Sequence, residues 1–168
     1  MNPPSEIGIG RQALTLIDRL LDAAAPEEGC ALLLGTRSGC FSSGPAGPVS
    51  TLWSLRRLWP TVNVWEPAME RQCRFRIDPR EQLLAQKWAR ARGLEVLGSL
   101  HSHPASPPTP SATDRSMAFA PTLMLIRGVA AGDPSPREGK GAPLSPRLCC
   151  WWLEPEGHCR LLPWRMED

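Results

Sequence analysis

The sequence of 168 residues has little net charge, few histidines and no long apolar run. No stretch approaches the roughly 20 consecutive apolar residues that a membrane-spanning helix needs, so we expect no membrane span. Because the formal net charge is only +2, there is no electrostatic reason to expect nucleic acid or an anionic membrane as the main partner. With only 3 histidines in the chain, any clustering of them is informative.

The 6 cysteines include no Cys-x-x-Cys pair, which argues against a thiolate zinc knuckle or a thioredoxin-type redox site. Residues 1–6 show neither the basic region nor the apolar region of a secretory signal peptide. A chain of this length also buries a sufficient core without disulfide crosslinks. We therefore expect reduced thiols in a cytoplasmic protein.

In the first part of the chain, apolar periodicity and turn-forming residues define the predicted elements. Leu14, Ile17 and Leu21 recur at the spacing of one face of a helix. The stretch that begins at Ser38 is rich in glycine, proline and serine, as loops are. The predicted elements are a helix over residues 10–24, a buried strand over 30–34, a loop insertion over 38–60 and a strand over 61–65.

A second helix has the clearest boundaries in the sequence. Asp78 is a typical N-cap, Pro79 suits the first helical position, and Gly93 is placed as a C-terminal stop. The remaining predicted elements are a strand over 94–103, a short helix over 111–118, a strand over 122–127, a loop insertion over 130–146, and a hairpin formed by 147–153 and 158–164. Because helices alternate with strands, we predict one α/β domain over residues 1–168, a three-layer sandwich with a central mixed β-sheet flanked by helices.

Two of the three histidines lie in one tripeptide, His101-Ser102-His103. On a strand, side chains two residues apart point to the same face, so both imidazoles could reach one metal ion. A His-x-His pair alone is weak evidence for a metal site. The proline-rich turn that follows ends the strand and leads to Ser111 and Asp114.

The segment Ser111-Ala112-Thr113-Asp114 has two compatible interpretations. Ser-x-x-Asp is a capping box, with Ser111 as the N-cap and Asp114 as the third helical residue. The same turn could also bring Asp114 back to the histidines as an oxygen ligand. Three protein ligands would leave the fourth tetrahedral position of zinc open, as in catalytic sites.

A catalytic zinc site also needs a proton acceptor for its water. Glu27 and Glu28 are the candidates, because they lead directly into the buried strand over 30–34. Without the histidine pair, two solvated acids after a helix would be the simpler interpretation. The pattern of residues does not decide between the two glutamates.

Together these segments resemble the signature of the JAMM (MPN+) metalloprotease family. His101-Ser102-His103-Pro104 and Ser111–Asp114 are similar to its His-x-His-Pro and Ser-x-x-Asp segments, with the family's separation between them. Pro26–Gly35 is similar to its Pro-x-Glu-x-x-Gly-x-Leu-x-Gly strand, and this register selects Glu28 over Glu27.

The resemblance extends over roughly Leu14–Arg127 and includes Asn63 and the segment Phe75–Pro79. It implies the MPN/JAB fold, an α/β sandwich similar to that of cytidine deaminases. It also implies one Zn²⁺ per chain, bound by three side chains, with one general base/acid and one oxyanion donor. The implied zinc ligands are His101, His103 and Asp114, the implied base is Glu28, and the implied donor is Ser111.

By resemblance, the substrate is a peptide or isopeptide bond at the C-terminal Gly-Gly tail of a ubiquitin-like or sulfur-carrier protein. An extended tail without side chains suits a narrow metal cleft, where it would add to the edge of a sheet. A homodimer is left open.

Two other functions are considered. The first is a catalytically silent MPN scaffold, although such modules usually lose the metal ligands that this chain keeps. The second is a zinc nucleobase deaminase, which needs His-x-Glu and Pro-Cys-x-x-Cys, and neither occurs here.

Overall fold

The computed structural model describes residues 3–42, 49–129 and 147–168. Three α-helices are found there, α1 (Arg11–Ala24), α2 (Pro79–Arg90) and α3 (Ala112–Met117), with a 3-10 turn at Ala68–Glu70. Eight strands are found there: β1 (Glu6–Gly10), β2 (Cys30–Ser42), β3 (Val49–Thr61), β4 (Glu95–His103), β5 (Thr122–Gly128), β6 (Arg147–Leu153), β7 (Cys159–Leu162) and β8 (Trp164–Glu167). None of the helices in these ranges is long and apolar enough to cross a membrane.

The eight strands form one mixed sheet in the order β7-β6-β5-β4-β2-β3-β1-β8. The two outermost strands are consecutive in the chain and are separated only by Pro163. The indole of Trp164 on β8 also donates a hydrogen bond to the carbonyl of Leu148 on β6, at 3.2 Å. The sheet therefore curves until it nearly closes into a barrel. The predicted α/β fold with a mixed sheet and helices is confirmed, but the sheet is nearly closed and barrel-like, which the predicted three-layer sandwich did not include.

Strand β2 carries apolar side chains on both faces, and each face is covered by a different helix. Leu33 belongs to the core cluster that contains Ile17 and Leu21 of α1. Its neighbours Leu32 and Leu34 pack with the buried alanines of α2. Because side chains alternate along a strand, this pattern places α1 and α2 on opposite faces of the sheet. Each fully buried leucine contributes about 1.5–3 kcal/mol of transfer free energy.

The predicted helix boundaries agree with the structure where a local signal exists. Helix α1 covers the predicted range, and the carboxylate of Asp78 accepts a hydrogen bond from the Arg80 backbone N–H at 2.9 Å as the cap of α2. Gly93 has a φ of 67°, which favours glycine, just after this helix.

The sequence prediction is wrong between residues 38 and 65. Strand β2 continues to Ser42, and β3 covers most of the predicted loop and ends at Thr61, where a strand was expected to begin. The two strands pair antiparallel from Cys30↔Thr61 to Ser42↔Val49. This pairing, with β1 on the other side of β3, overrides the local glycine, proline and serine content. Residues 43–48 and the predicted insertion over 130–146 lie outside the described residues.

Candidate metal centre

The carboxyl end of β4 presents His101 and His103 on one face of the sheet. Both side chains are buried, and their Nε2 atoms lie 3.0 Å apart. The chain reaches this point as a strand because β4 is paired on both sides, antiparallel to β2 and parallel to β5. The i, i+2 spacing on a strand therefore brings the two imidazoles together, as predicted.

The turn over residues 104–110 brings the first turn of α3 back to the histidines. The Oδ2 atom of Asp114 lies 3.6 Å from Nε2 of His101 and 3.5 Å from Nε2 of His103. The capping box is also present, since the Ser111 hydroxyl accepts from the Asp114 N–H at 3.1 Å and Asp114 Oδ2 accepts from the Ser111 N–H at 2.7 Å. Capping and proximity to the histidines are thus simultaneous properties of Asp114.

A backbone carbonyl of this turn sets the protonation of the His103 ring. The Nδ1 atom of His103 lies 2.7 Å from the carbonyl oxygen of Pro107. A carbonyl only accepts hydrogen bonds, so Nδ1 carries the proton and the ring directs the lone pair of Nε2 toward Asp114 and His101 when it is neutral. This is how proteins commonly orient a metal-binding imidazole.

Glu28 closes the site from the amino end of β2. Its side chain is buried, with Oε1 3.9 Å from His103 Nε2, while Glu27 is only half-buried and takes no part in the group. The next residue, Gly29, is tied to β4 because its N–H donates to the Ser102 hydroxyl at 2.9 Å and its carbonyl accepts from the Ser102 N–H at 3.0 Å. The residue between the two histidines therefore holds the glutamate strand against them.

Burial decides the direction of the pKa shifts of Glu28 and His101. Removal from water raises the pKa of Glu28 from 4.5 to about 7, although the nearby His103 opposes the shift. Burial also lowers the pKa of His101 below its usual value, which favours the neutral imidazole.

The other two groups respond more strongly to their partners than to burial. Burial alone would lower the pKa of His103, but hydrogen bonds to Asp114 and Pro107 and the charge of Glu28 raise it. Burial alone would raise the pKa of Asp114, but hydrogen bonds and charge interactions with His101 and His103 hold it well below its usual value. Asp114 is therefore a carboxylate at neutral pH, facing His101 in its neutral form.

The donor set fits a divalent metal such as zinc. Donor atoms that share one tetrahedral zinc at about 2.0–2.1 Å lie about 3.3–3.4 Å from one another. The three separations among His101 Nε2, His103 Nε2 and Asp114 Oδ2 are 3.0, 3.5 and 3.6 Å. Glu28 is a further candidate ligand, because Glu28, His101 and His103 offer ligand atoms that all lie within 4.8 Å of one another.

The carboxylate of Glu28 differs from that of Asp114 in its contacts. Its Oε2 is buried and has no hydrogen-bond partner among the residues described. A buried carboxyl oxygen without a partner is costly unless the site receives a further group. All five residues named from the sequence are thus brought together, with Ser111 adjoining the four buried side chains.

Three supporting contacts were not expected from the sequence. The ring of Phe75 stacks on His101, the Pro107 carbonyl orients His103, and the side chain of Asn63 donates to the Glu28 carbonyl at 3.1 Å. Asn63 and Phe75 carried a signal only through the family resemblance, which gave them no role. The Pro107 contact uses a backbone atom, so no side-chain pattern could have indicated it.

Comparison with known proteins identifies the family. The model of the prokaryotic homologues of the JAB domain matches residues 11–139, which is more than half of the chain. The site defines a JAB-type domain with a candidate metal centre at the end of β4, and the chain belongs to this family of prokaryotic JAB-domain proteins. The resemblance to the JAMM/MPN+ family is therefore confirmed.

Two of the relatives found among curated proteins are named desampylase. The one from Haloferax volcanii is 32% identical over 101 residues, which is 60% of this chain and 61% of the relative. The one from Pyrococcus furiosus is 45% identical over 53 residues, which is 31% of this chain and 38% of the relative. The alignments thus span about three fifths and two fifths of these relatives.

Solved structures similar to the whole chain include two bacterial proteins. A protein from Desulfitobacterium hafniense has a TM-score of 0.72 and 26% identity, over 96% of this chain and 93% of its own. A protein from Salinibacter ruber has a TM-score of 0.57 and 27% identity, over 96% of this chain and 92% of its own.

Proposed function

We propose that the chain is a zinc-dependent isopeptidase that cleaves after the C-terminal Gly-Gly tail of a ubiquitin-like or sulfur-carrier protein. The observation that carries this proposal is one buried group of four side chains. Three donors at metal-sharing distances lie beside a fourth group, a carboxyl with a pKa of about 7. A carboxyl tuned to neutral pH is suited to accept and return a proton.

In this proposal His101, His103 and Asp114 bind the metal. Zinc held there would polarise the scissile carbonyl and lower the pKa of a coordinated water to about 7. Glu28 takes a proton from the attacking water and later gives it to the leaving amine. Its distance of 3.9 Å from His103 Nε2, longer than the separations among the three ligands, supports this role over that of a fourth ligand.

Ser111 acts as the oxyanion donor in the same proposal. Its oxygen accepts from the Asp114 N–H, which leaves its O–H proton available for another acceptor. A donor fixed by its own helix cap loses little freedom when negative charge develops on the substrate carbonyl. Capping and catalysis therefore use different parts of one hydroxyl group.

The substrate class rests on the relatives. The name desampylase denotes an isopeptidase that acts on conjugates of SAMP, a ubiquitin-like protein. We carry to this chain the coarser substrate, a ubiquitin-like or sulfur-carrier protein that ends in Gly-Gly. The physical basis is that a tail without side chains would need the least room to reach a site whose side chains are buried.

Zinc analysis of two isosteric variants tests the ligand set. We expect about one zinc per chain in the wild type and in Glu28→Gln, since three ligands remain, and strongly reduced zinc in Asp114→Asn. The reverse result, with zinc retained by Asp114→Asn and lost from Glu28→Gln, would assign Glu28 as the ligand and contradict the proposed base.

Hydrolysis of a Gly-Gly conjugate tests the activity. The wild type loaded with zinc is expected to release the group attached to the tail, and Glu28→Gln to be slower by about 10²–10⁴-fold, as is usual when a general acid–base group is lost. A conjugate with Ala-Ala in place of Gly-Gly is the control for the tail. Zinc-loaded wild type that cleaves neither conjugate would favour the silent scaffold instead.

A further inference from the structure

The two histidines of the metal centre are held in different ways. The ring of His103 is fixed by the hydrogen bond from its Nδ1 to the carbonyl of Pro107 at 2.7 Å. The Nδ1 of His101 is buried, and no hydrogen-bond partner for it exists among the residues described. A metal-binding imidazole usually needs a partner on its second nitrogen to hold the ring in place. Another contact must therefore orient the ring of His101.

Phe75 supplies that contact. Its ring is stacked on the imidazole of His101, with the centroids 4.2 Å apart and the planes inclined by 20°. A stacked ring restricts rotation of the imidazole about its bond to Cβ, because a turned ring would collide with the aromatic face. It also keeps water from one face of His101, in line with the complete burial of this side chain.

Phe75 is held in place by Asn63, a buried side chain with all of its hydrogen-bonding capacity in use. Its Oδ1 accepts from the backbone N–H of Trp65 and of Arg76, at 3.0 and 3.2 Å. Its Nδ2 donates to the carbonyl of Arg74 at 2.8 Å. The backbone is thus clamped on both sides of Phe75.

The second donor of Asn63 links this clamp to the candidate base. It reaches the carbonyl of Glu28 at 3.1 Å, so both Nδ2 hydrogens and both acceptor positions of Oδ1 are used. One amide therefore holds the strand that carries Glu28 and the loop that carries Phe75. All four partners of Asn63 are backbone atoms, so each lost bond removes the partner of a backbone carbonyl or N–H.

We propose that Phe75, clamped by Asn63, is the positioning residue for His101 and replaces by ring stacking the hydrogen bond that His103 receives from Pro107. This inference rests on the proposed function in that His101 is taken as a zinc ligand. Neither Phe75 nor Asn63 touches the reacting atoms. Their effect is on how often the His101 ring is in the orientation that binds the metal.

The test is the zinc affinity of Phe75 variants, measured by competition with a chromogenic chelator. Phe75→Leu keeps an apolar side chain but removes the ring, and its dissociation constant for zinc is expected to rise by about tenfold or more, the usual effect of losing a residue that supports a metal ligand. Phe75→Tyr keeps the ring and should restore the affinity. An unchanged affinity in Phe75→Leu, within about twofold, would overturn the positioning role.

A double-mutant cycle tests the clamp. Asn63→Asp keeps the shape of the side chain but replaces its two N–H donors with an acceptor. It should weaken zinc binding because the backbone around Phe75 is then no longer held and the stack of Phe75 on His101 loosens. The double variant Asn63→Asp, Phe75→Leu is then expected to bind zinc no more weakly than the worse single variant. Strictly additive losses of binding free energy would refute the idea that Asn63 acts through Phe75. If Asn63→Asp does not fold, the Leu and Tyr variants of Phe75 alone decide the proposal.

Two controls separate positioning from general destabilisation. Trp65→Phe removes a hydrogen bond of the same loop, from the indole to Glu70 at 3.1 Å, without removing the ring on His101. It should leave the affinity for zinc unchanged, and a loss as large as that of Phe75→Leu would point to the loop as a whole and overturn the proposal. A wild type that binds no zinc would overturn the proposed function and this inference together, whereas equal zinc affinity in wild type and Phe75→Leu overturns this inference only.

Discussion

Replacing Glu28 by glutamine is expected to stabilise the metal-free protein, although it removes the candidate base. The pKa of Glu28 is about 7 in the folded protein, against a usual value of 4.5. Between pH 4.5 and about 7, the folded protein therefore keeps the proton of Glu28 while the unfolded chain has lost it. Stability falls as the pH rises from 4.5 to about 7 and stays reduced above that, since ionisation then requires a buried charge.

The magnitude follows from the same two values. Each pKa unit corresponds to about 1.4 kcal/mol, so the difference between 4.5 and about 7 costs the folded wild type about 3 kcal/mol at pH 8. The amide of glutamine carries no such penalty. Metal-free Glu28→Gln should thus exceed the wild type by about 3 kcal/mol in free energy of unfolding near pH 8, and by almost nothing near pH 4.

Urea unfolding in the presence of a chelator, at several pH values, measures this difference. The titrations of His101 and Asp114 occur in both proteins and largely cancel in the comparison, whereas the titration of His103 differs, because the charge of Glu28 raises the pKa of His103 in the wild type only. Glu27→Gln is the matched control, because it removes a half-buried carboxylate outside the site, and it should stay within about 0.5 kcal/mol of the wild type. A Glu28→Gln protein that is less stable than wild type near pH 8, or a difference that does not change with pH, would refute the reasoning.

Three further predictions concern other parts of the site and its support. Zinc at about 100 times its dissociation constant should add about 2.7 kcal/mol to the stability of the wild type, seen as a higher Tm that a chelator reverses and that Asp114→Asn does not show. Ser111→Ala should cost about 1 kcal/mol in unfolding free energy through loss of the cap and should lower the hydrolysis rate by about 10²–10³-fold, whereas Ser111→Asn should recover the stability because asparagine also caps a helix; full activity in the Ala variant would exclude Ser111 as the donor. Gly98→Ala should destabilise the fold by about 3 kcal/mol or more, because its Cβ would collide with the backbone carbonyl of Leu123 on β5. At Gly93 a Cβ meets no atom within 4 Å, so Gly93→Ala should cost only the strain of positive φ, about 1–2 kcal/mol, and equal losses in denaturant unfolding would contradict this.

The elements with a complete local signal were predictable. Helix α1 follows from one apolar stripe, and α2 follows from the cap at Asp78 and the stop at Gly93. The sequence of β3 does not indicate a strand, because it includes proline and serine. The segment is a strand because it pairs with β2. Strand β1 was missed for a similar reason, since Gly8 and Gly10 interrupt a short segment that pairs in parallel with β3 and β8.

The candidate site was predictable to the extent that it depends on short separations along the chain. His101 and His103 share a face because residues two apart on a strand do so, and Asp114 follows through one stiff turn and one helix cap. The register that selected Glu28 came from the resemblance, and the structure places this carboxyl, rather than that of Glu27, among the buried groups.

The sequence by itself therefore determines the types and the spacing of the candidate ligands, because the geometry of a strand and of a helix cap is local. The closure of the sheet, the pKa of Glu28 near 7 and the stack of Phe75 on His101 are not, because each depends on residues far apart in the chain. The burial that raises the pKa of Glu28 also depends on residues far apart in the chain, because a carboxyl is desolvated only when strands and loops from several parts of the chain surround it. The tertiary structure therefore turned a set of candidate metal ligands into a buried group beside a carboxyl with a pKa of about 7.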